Sequence, residues 1–323
     1  MNERPSVLAT RKFPDAVEAR LGARFNAICN ADDRPWSGAE IAAKAQGCVG
    51  IMCAATDPMG ADTIAALPGS VKIIATFSVG YEHIDVSGCA RRGILVSNTP
   101  GVIANATADV AMLLLLAAAR RTHESATMLH TGQWIGWAPT MLLGRDLTGK
   151  RLGIIGMGDI GQALARRARG FDMEIHYHNR NRLAPAKELG ATYHGDLPSL
   201  LAVAQFLSVN CPLTPQTRKL INRDTLALLP DGAIVVNTAR GPIVDDEALI
   251  EAARSGKLAA IGLDVFEGEP KFNRRYGELA NAFLLPHIGT ATVETRNAMG
   301  FRALDNLEAV LIAGRTPPHQ VTA

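Results

Sequence analysis

The sequence predicts an α/β protein built on two doubly wound parallel sheets. Two observations carry that prediction. Short aliphatic runs with no polar face alternate with stretches of helical periodicity, as parallel strands covered on both sides require. The chain has 323 residues, room for two domains at about 150 residues each.

The elements follow in order. Strands are expected at residues 6–10, 25–29, 48–53, 71–77 and 94–97, with helical stretches between them, for example at 39–45 and 62–66. A long apolar helix is expected over 105–121, followed by a stretch rich in Trp and Gly that reaches Gly149. A second strand series falls at 151–155, 174–178, 206–209, 233–237, 260–264 and 283–285. Its helices are expected at 161–169, 224–229, 245–255 and 292–313. The run 110–119 is too short for a bilayer: ten residues rise about 15 Å against a hydrocarbon core near 30 Å. Its apolar face is expected in a core between domains or between subunits.

Composition narrows the function classes. Hydrophobic residues are 47% and charged residues 20%, with 33 basic against 31 acidic side chains. A net charge of +2 offers no basic footprint for nucleic acid and none for an anionic membrane. The N-terminus has no apolar segment of signal-peptide length behind it. The five cysteines, Cys29, Cys48, Cys53, Cys89 and Cys211, lack metal-site spacing and read as small buried thiols in a cytoplasmic protein. His123, His130, His176, His178 and His194 show no ligand pairing either, so no metal site is expected. Asp109, inside the apolar helix, is expected to pair or cap locally; Arg166, Arg167 and Arg169 are expected on a wet helix face.

The strongest local signal is Gly156-Met157-Gly158-Asp159-Ile160-Gly161. It follows a predicted strand and opens a predicted helix, the context in which G-x-G-x-x-G binds a dinucleotide. The first glycine makes the tight turn, the second admits the pyrophosphate, and the third lets helix and strand pack closely. The helix N-terminus then offers free N–H groups to the phosphates. An NAD site usually carries an acid at the end of the next strand. Here that strand ends in Asn179-Arg180-Asn181-Arg182. Asn179 stands at the acid position, and Arg180, with Arg182 nearby, suits a 2′-phosphate. NADP(H) is therefore expected over NAD(H), which stays possible.

Three further segments begin at predicted strand ends: Asn237-Thr238-Ala239-Arg240-Gly241, Leu263-Asp264-Val265-Phe266-Glu267-Gly268-Glu269-Pro270 and Pro286-His287-Ile288-Gly289. Ligands bind at that edge of an open α/β sheet. An arginine, one or two carboxylates and a histidine would gather there. Those residue types suit reduction of a 2-oxo acid. The arginine grips the substrate carboxylate, the histidine protonates the carbonyl oxygen, and a carboxylate favours the charged imidazole.

With these segments, Val79-Gly80-Tyr81-Glu82-His83-Ile84-Asp85 and Gly132-Gln133-Trp134-Ile135-Gly136-Trp137-Ala138-Pro139, the sequence resembles the D-isomer-specific 2-hydroxyacid dehydrogenases. It is most similar to their glyoxylate and hydroxypyruvate reductases, over nearly the whole chain. The resemblance implies that Arg240 binds substrate, His287 is the acid/base and Glu269 is its partner. It implies that the backbone at Val79 and Gly80 holds the substrate carboxylate. Asp264 would lie near the nicotinamide, with Thr107, Cys211, Pro212, Thr217, Thr238, Ala239 and Gly289 lining the cofactor site. It implies a homodimer in which Trp137 reaches the neighbouring subunit's site. The implied domains are discontinuous: a flavodoxin-like catalytic domain at 1–101 and 290–323, and an inserted Rossmann cofactor domain at 102–289. The segment from Pro270 to Tyr276 is more basic than this family pattern leads one to expect. The activity implied is NADPH-dependent reduction of glyoxylate or hydroxypyruvate. Two alternatives share the fold: a nicotinamide-sensing binding protein like certain transcriptional corepressors, and a dehydrogenase for another 2-oxo acid.

Overall fold

A computed structural model describes residues 4–322. The chain runs β1 (Ser6–Ala9), α1 (Asp15–Arg24), β2 (Asn26–Cys29), α2 (Gly38–Lys44), β3 (Gly50–Ala54), α3 (Ala61–Ala66), β4 (Ile73–Phe77), α4 (Val86–Arg91) and β5 (Leu95–Ser97). Then come α5 (Ala104–Ala119), α6 (Thr122–His130), β6 (Arg151–Ile155), α7 (Asp159–Arg169), β7 (Glu174–His178), α8 (Pro185–Glu188), β8 (Thr192–His194) and α9 (Leu197–Leu201). The last elements are β9 (Phe206–Val209), α10 (Arg223–Ala227), β10 (Ala233–Asn237), α11 (Asp246–Arg254), β11 (Leu258–Leu263), β12 (Ala282–Leu284), α12 (Val293–Leu311) and β13 (Gln320–Val321). The chain divides into two compact units, one holding the residues up to Ile103 and those from Ala291 onward, the other Ala104–Thr290.

The first unit is a sheet in the order β13-β5-β4-β3-β1-β2. Without β13 this is the doubly wound order 2-1-3-4-5. Its central strands carry no polar face because helices cover both sides: Val7, Leu8, Ile51, Met52, Ile73 and Ile74 are all fully buried. One layer packs Ile41 and Cys89 against Leu8 and Ile51. The other packs Val17 and Leu21 of α1 with Leu304 and Leu307 of α12 against Val7 and Met52. Arg20 of α1 adds ion pairs to Asp305 at 2.6 Å and Glu308 at 3.0 Å. Two readings are corrected here. Cys29 is exposed rather than buried, because β2 is an edge strand with one face to solvent. β13 runs antiparallel, pairing Val321 with Val96, in a sheet expected to be parallel throughout.

The second unit is an all-parallel sheet in the order β12-β11-β10-β9-β6-β7-β8. Counted from β6, this is the order 3-2-1-4-5-6 of dinucleotide-binding sheets with one strand added. The winding reverses between β6 and β9, which opens a crevice beyond their carboxyl ends. Helix α5 buries Ala108, Ala111, Leu114, Leu115 and Ala118 in this unit's own core and leaves Leu113 exposed. Asp109 pairs not locally, as expected, but across to Arg167 of α7 at 2.5 Å. Arg167 therefore leaves the wet face of α7 and crosses to α5, and Arg166 alone of the three arginines is exposed. Between α6 and β6 the chain forms no helix or strand, and it exposes Trp134, Ile135, Trp137 and Leu143.

Candidate active site

The glycine loop lies at the crevice between β6 and β9. Gly156 has φ +93°, and a β-carbon there would lie 2.6 Å from the Cys211 nitrogen. A β-carbon on Gly161 would lie 2.4 Å from the Gly156 oxygen. Only glycine lets the turn, α7 and the segment after β9 approach so closely. Around Gly158 nothing lies within 4 Å of that position, so the second glycine faces open space. Met157 is buried while Asp159 is exposed and Ile160 half-buried on the first turn of α7. The Met157 N–H donates to Asn179 Oδ1 at 2.7 Å, which ties the loop to the end of β7. Arg180 is exposed. Arg182 is engaged by Glu188 at 2.8 Å.

The candidate reacting groups follow β10, β11 and β12. Asn237 closes the turn after β10: its Oδ1 accepts the Ala239 N–H at 2.9 Å and its Nδ2 donates to the Arg240 carbonyl at 3.0 Å. Arg240 Nη1 donates to the Ala239 carbonyl at 2.8 Å. A β-carbon on Gly241 would fall 1.9 Å from the Phe266 carbonyl carbon. The turn after β10 is thus pressed onto the segment after β11, which carries Glu269.

Glu269 and His287 form the central pair. Glu269 Oε1 accepts the Phe266 N–H at 2.6 Å, and Oε2 meets His287 Nδ1 at 2.6 Å. Burial pushes the Glu269 carboxyl up, but His287, the Phe266 amide and Arg240 outweigh it and hold the group below the usual carboxylate range. Nδ1 is thereby committed and Nε2 is left for a substrate. Asp264 is 1% exposed and accepts the Ile288 and Gly289 N–H groups at 2.7 and 2.8 Å. Burial raises its carboxyl. It fixes the backbone on the far side of His287, whose φ of +55° lies in the left-handed region.

The remaining candidates sort themselves by contact. Thr107 lies beside Gly289, its Cγ2 3.5 Å from where a β-carbon would be. Thr217 Oγ1 donates to the Pro212 carbonyl at 2.7 Å and accepts the Thr214 N–H at 2.7 Å, so it shapes the loop after β9. Burial pushes the Cys211 thiol up to about 11. In the first unit, Ser78 Oγ donates to the Gly80 carbonyl at 2.6 Å and Asn98 Nδ2 to the Val79 carbonyl at 2.7 Å. Neither bond uses the Val79 or Gly80 amide N–H. The basic segment after Glu269 docks on α11: Arg275 pairs with Glu247, and the Tyr276 hydroxyl donates to Asp246 at 2.8 Å. Its charge answers the acidic first turn of that helix.

Three buried side-chain oxygens in this unit have no protein partner: Thr107 Oγ1, Thr238 Oγ1 and Asn210 Oδ1. Buried polar atoms are rarely left so. Together with the open Gly158 and the free end of α7, they fit a bound nicotinamide dinucleotide. Sequence reasoning missed Asn210. Its only signal was an amide directly after an apolar strand at the reversal of strand order.

The comparisons with known proteins agree with this geometry. Residues 112–289 match the family model described as D-isomer specific 2-hydroxyacid dehydrogenase, NAD binding domain. The chain is 44% identical to a glycerate dehydrogenase of Hyphomicrobium methylovorum over 94% of its length and 95% of that protein's. It is 41% identical to a glyoxylate reductase of Thermococcus litoralis, covering 98% and 97%. Among solved structures, the NADPH-dependent glyoxylate/hydroxypyruvate reductase of Sinorhizobium meliloti, in complex with NADP and malonate, matches with TM-score 0.88. That match has 35% identity and covers 99% of this chain and 97% of that one. A glycine loop on the 3-2-1-4-5-6 sheet, an Arg–Glu–His set beyond its carboxyl edge and these full-length likenesses lead to one conclusion: the chain belongs to the D-isomer specific 2-hydroxyacid dehydrogenases, oxidoreductases with a nicotinamide-nucleotide-binding domain.

Proposed function

We propose that the protein reduces small 2-oxo acids, glyoxylate and hydroxypyruvate first among them, to glycolate or the D-2-hydroxy acid, and prefers NADPH. The observation that carries the reading is the 2.6 Å His287–Glu269 pair on the same sheet edge as Arg240 and the glycine loop. Likeness to a glyoxylate reductase and to an NADPH-dependent glyoxylate/hydroxypyruvate reductase supports the substrate class.

When bound, the dihydronicotinamide supplies a hydride to carbon 2 of the substrate. The glycine loop, Asn179, Thr107, Thr238, Ala239, Asp264, Gly289 and the segment Cys211-Pro212 with Thr217 would hold that cofactor. Arg240 grips the substrate carboxylate in a bidentate fork, aided by the Val79 and Gly80 amides. His287 gives its Nε2 proton to the carbonyl oxygen, and solvent restores it. Glu269 keeps the ring oriented. Arg180 takes the 2′-phosphate of NADPH; a charge-assisted bond of roughly 1.5–3 kcal/mol amounts to about a 10- to 150-fold preference.

In this reading the residues 102–289 form the cofactor domain, and 1–101 with 290–323 the substrate domain. Two copies associate through the exposed 131–149 arm, and Trp137, 77% exposed, completes the neighbour's site. Five free thiols, four of them buried, suit a reducing compartment such as the cytoplasm. No helix of the described residues is long and apolar enough to cross a membrane.

The test is oxidation of NADPH, then NADH, followed spectrophotometrically with glyoxylate, hydroxypyruvate, pyruvate and phenylpyruvate. Fast NADPH turnover with the two small polar acids is expected. Turnover with NADH alone would refute the cofactor preference, and tight nucleotide binding without turnover would refute the enzyme.

A further inference from the structure

The segment after β7 carries a second device beside Arg180. Glu188, at the end of α8, is 7% exposed. Its carboxylate accepts the Tyr177 hydroxyl at 2.6 Å and both Nε and Nη2 of Arg182, at 2.8 and 3.1 Å. The Tyr177 oxygen accepts the Leu183 N–H at 3.1 Å. The Arg182 guanidinium lies 5.6 Å from the centre of the Tyr193 ring. The Tyr193 hydroxyl donates to the Asn179 carbonyl at 3.3 Å, and Asn179 Oδ1 holds the Met157 amide. One unbroken chain of contacts therefore runs from Glu188 to the glycine loop. Arg180 lies within its span, is exposed, and engages no carboxylate among the described residues.

We propose that Glu188, Tyr177 and Arg182 form one staple that positions Arg180 for a 2′-phosphate, and that Arg182 is not itself a phosphate ligand. The inference rests on the NADPH reading above and revises its sequence-based list of arginines. Two physical reasons support it. Swinging Arg182 to a phosphate would strand the Glu188 carboxylate, nearly buried, without its cation. An arginine on a segment already folded against the sheet also loses less freedom when it binds.

The test is calorimetry on the intact protein with 2′,5′-ADP and 5′-AMP, which differ by the 2′-phosphate alone and need no turnover. Glu188→Gln and Arg182→Gln are each expected to weaken 2′,5′-ADP roughly two- to tenfold and to leave 5′-AMP within about twofold. The double variant should be no worse than either single one, because the two residues act as a unit. If Arg182 were a phosphate ligand, Arg182→Gln would weaken 2′,5′-ADP while Glu188→Gln, by freeing the guanidinium, would strengthen it. That pattern overturns the staple, as does unchanged binding in Glu188→Gln. A wild-type protein that binds both probes equally would instead overturn the NADPH reading, and the staple's role with it. Should Glu188→Gln fail to fold in a thermal melt, Tyr177→Phe carries the same expectation.

Discussion

His287 holds a backbone conformation that costs a non-glycine residue of order 1 kcal/mol, and its neighbours show why it persists. Asp264 binds the two amides that follow it, and Glu269 binds the ring. The strain is kept where it aims an imidazole. In the proposed mechanism, truncating the ring removes the proton donor and little else. His287→Ala is expected to lower kcat for reduction by roughly 10²–10⁴-fold while calorimetric nucleotide affinity stays unchanged. Wild-type turnover in that variant would take His287 out of the mechanism. His287, Arg240 and Glu269 were legible in the sequence because each follows a strand end, where residue type reports chemistry. Glu188 was not, because nothing local distinguishes it from any solvated glutamate in a short helix.

At the scale of elements, legibility followed burial. Strands β6, β9 and β10 match the apolar runs that predict them, being covered on both faces, whereas β7 buries only Ile175 and Tyr177. β8 escaped notice because Thr192-Tyr193-His194 is an edge strand with no apolar run. Helix α1 escaped because only Val17 and Leu21 mark its buried face. Helix α2 begins in a capping box whose chemistry is readable in full. The Glu40 carboxylate takes Arg34 at 2.6 Å and the Ser37 N–H at 2.8 Å. Arg34 first, then Ser37, holds the carboxyl down at about 2 against an ordinary 4.5. A carboxyl depressed in the folded state stabilises above its unfolded value and loses that contribution as pH falls through the folded one. The gap in Tm between the wild type and Glu40→Gln should be widest at neutral pH and vanish towards pH 2. A gap that stays constant with pH would show that the carboxylate charge contributes nothing there.

For the whole molecule, the most conspicuous surface feature is the arm between α6 and β6. Ile135 is fully exposed, with Trp134 at 53% and Leu143 at 65%. Contiguous apolar exposure of this kind marks an interaction surface. If the arm joins two copies, Ile135→Asp places an unpaired charge in the interface and should shift sedimentation towards monomer at a given concentration. An unshifted dimer would exclude Ile135 from the contact, and a monomeric wild type would remove the dimer. The chain's path also matters at this scale: α12 follows the second unit in sequence yet covers the sheet of the first.

By itself the sequence determined the fold class, the glycine turn into α7 and the family, and it singled out Arg240, Glu269 and His287. Each is a local signal: a periodicity, a glycine spacing, a side chain directly after a strand. Tertiary structure alone decided the strand orders, the antiparallel β13, the exposure of Cys29 and the burial of α5 within its own unit. It also decided which partner each charge takes. Arg20 meets Glu308 and Asp109 meets Arg167 across separations that no local pattern encodes. Such pairs form only once burial has brought distant segments together.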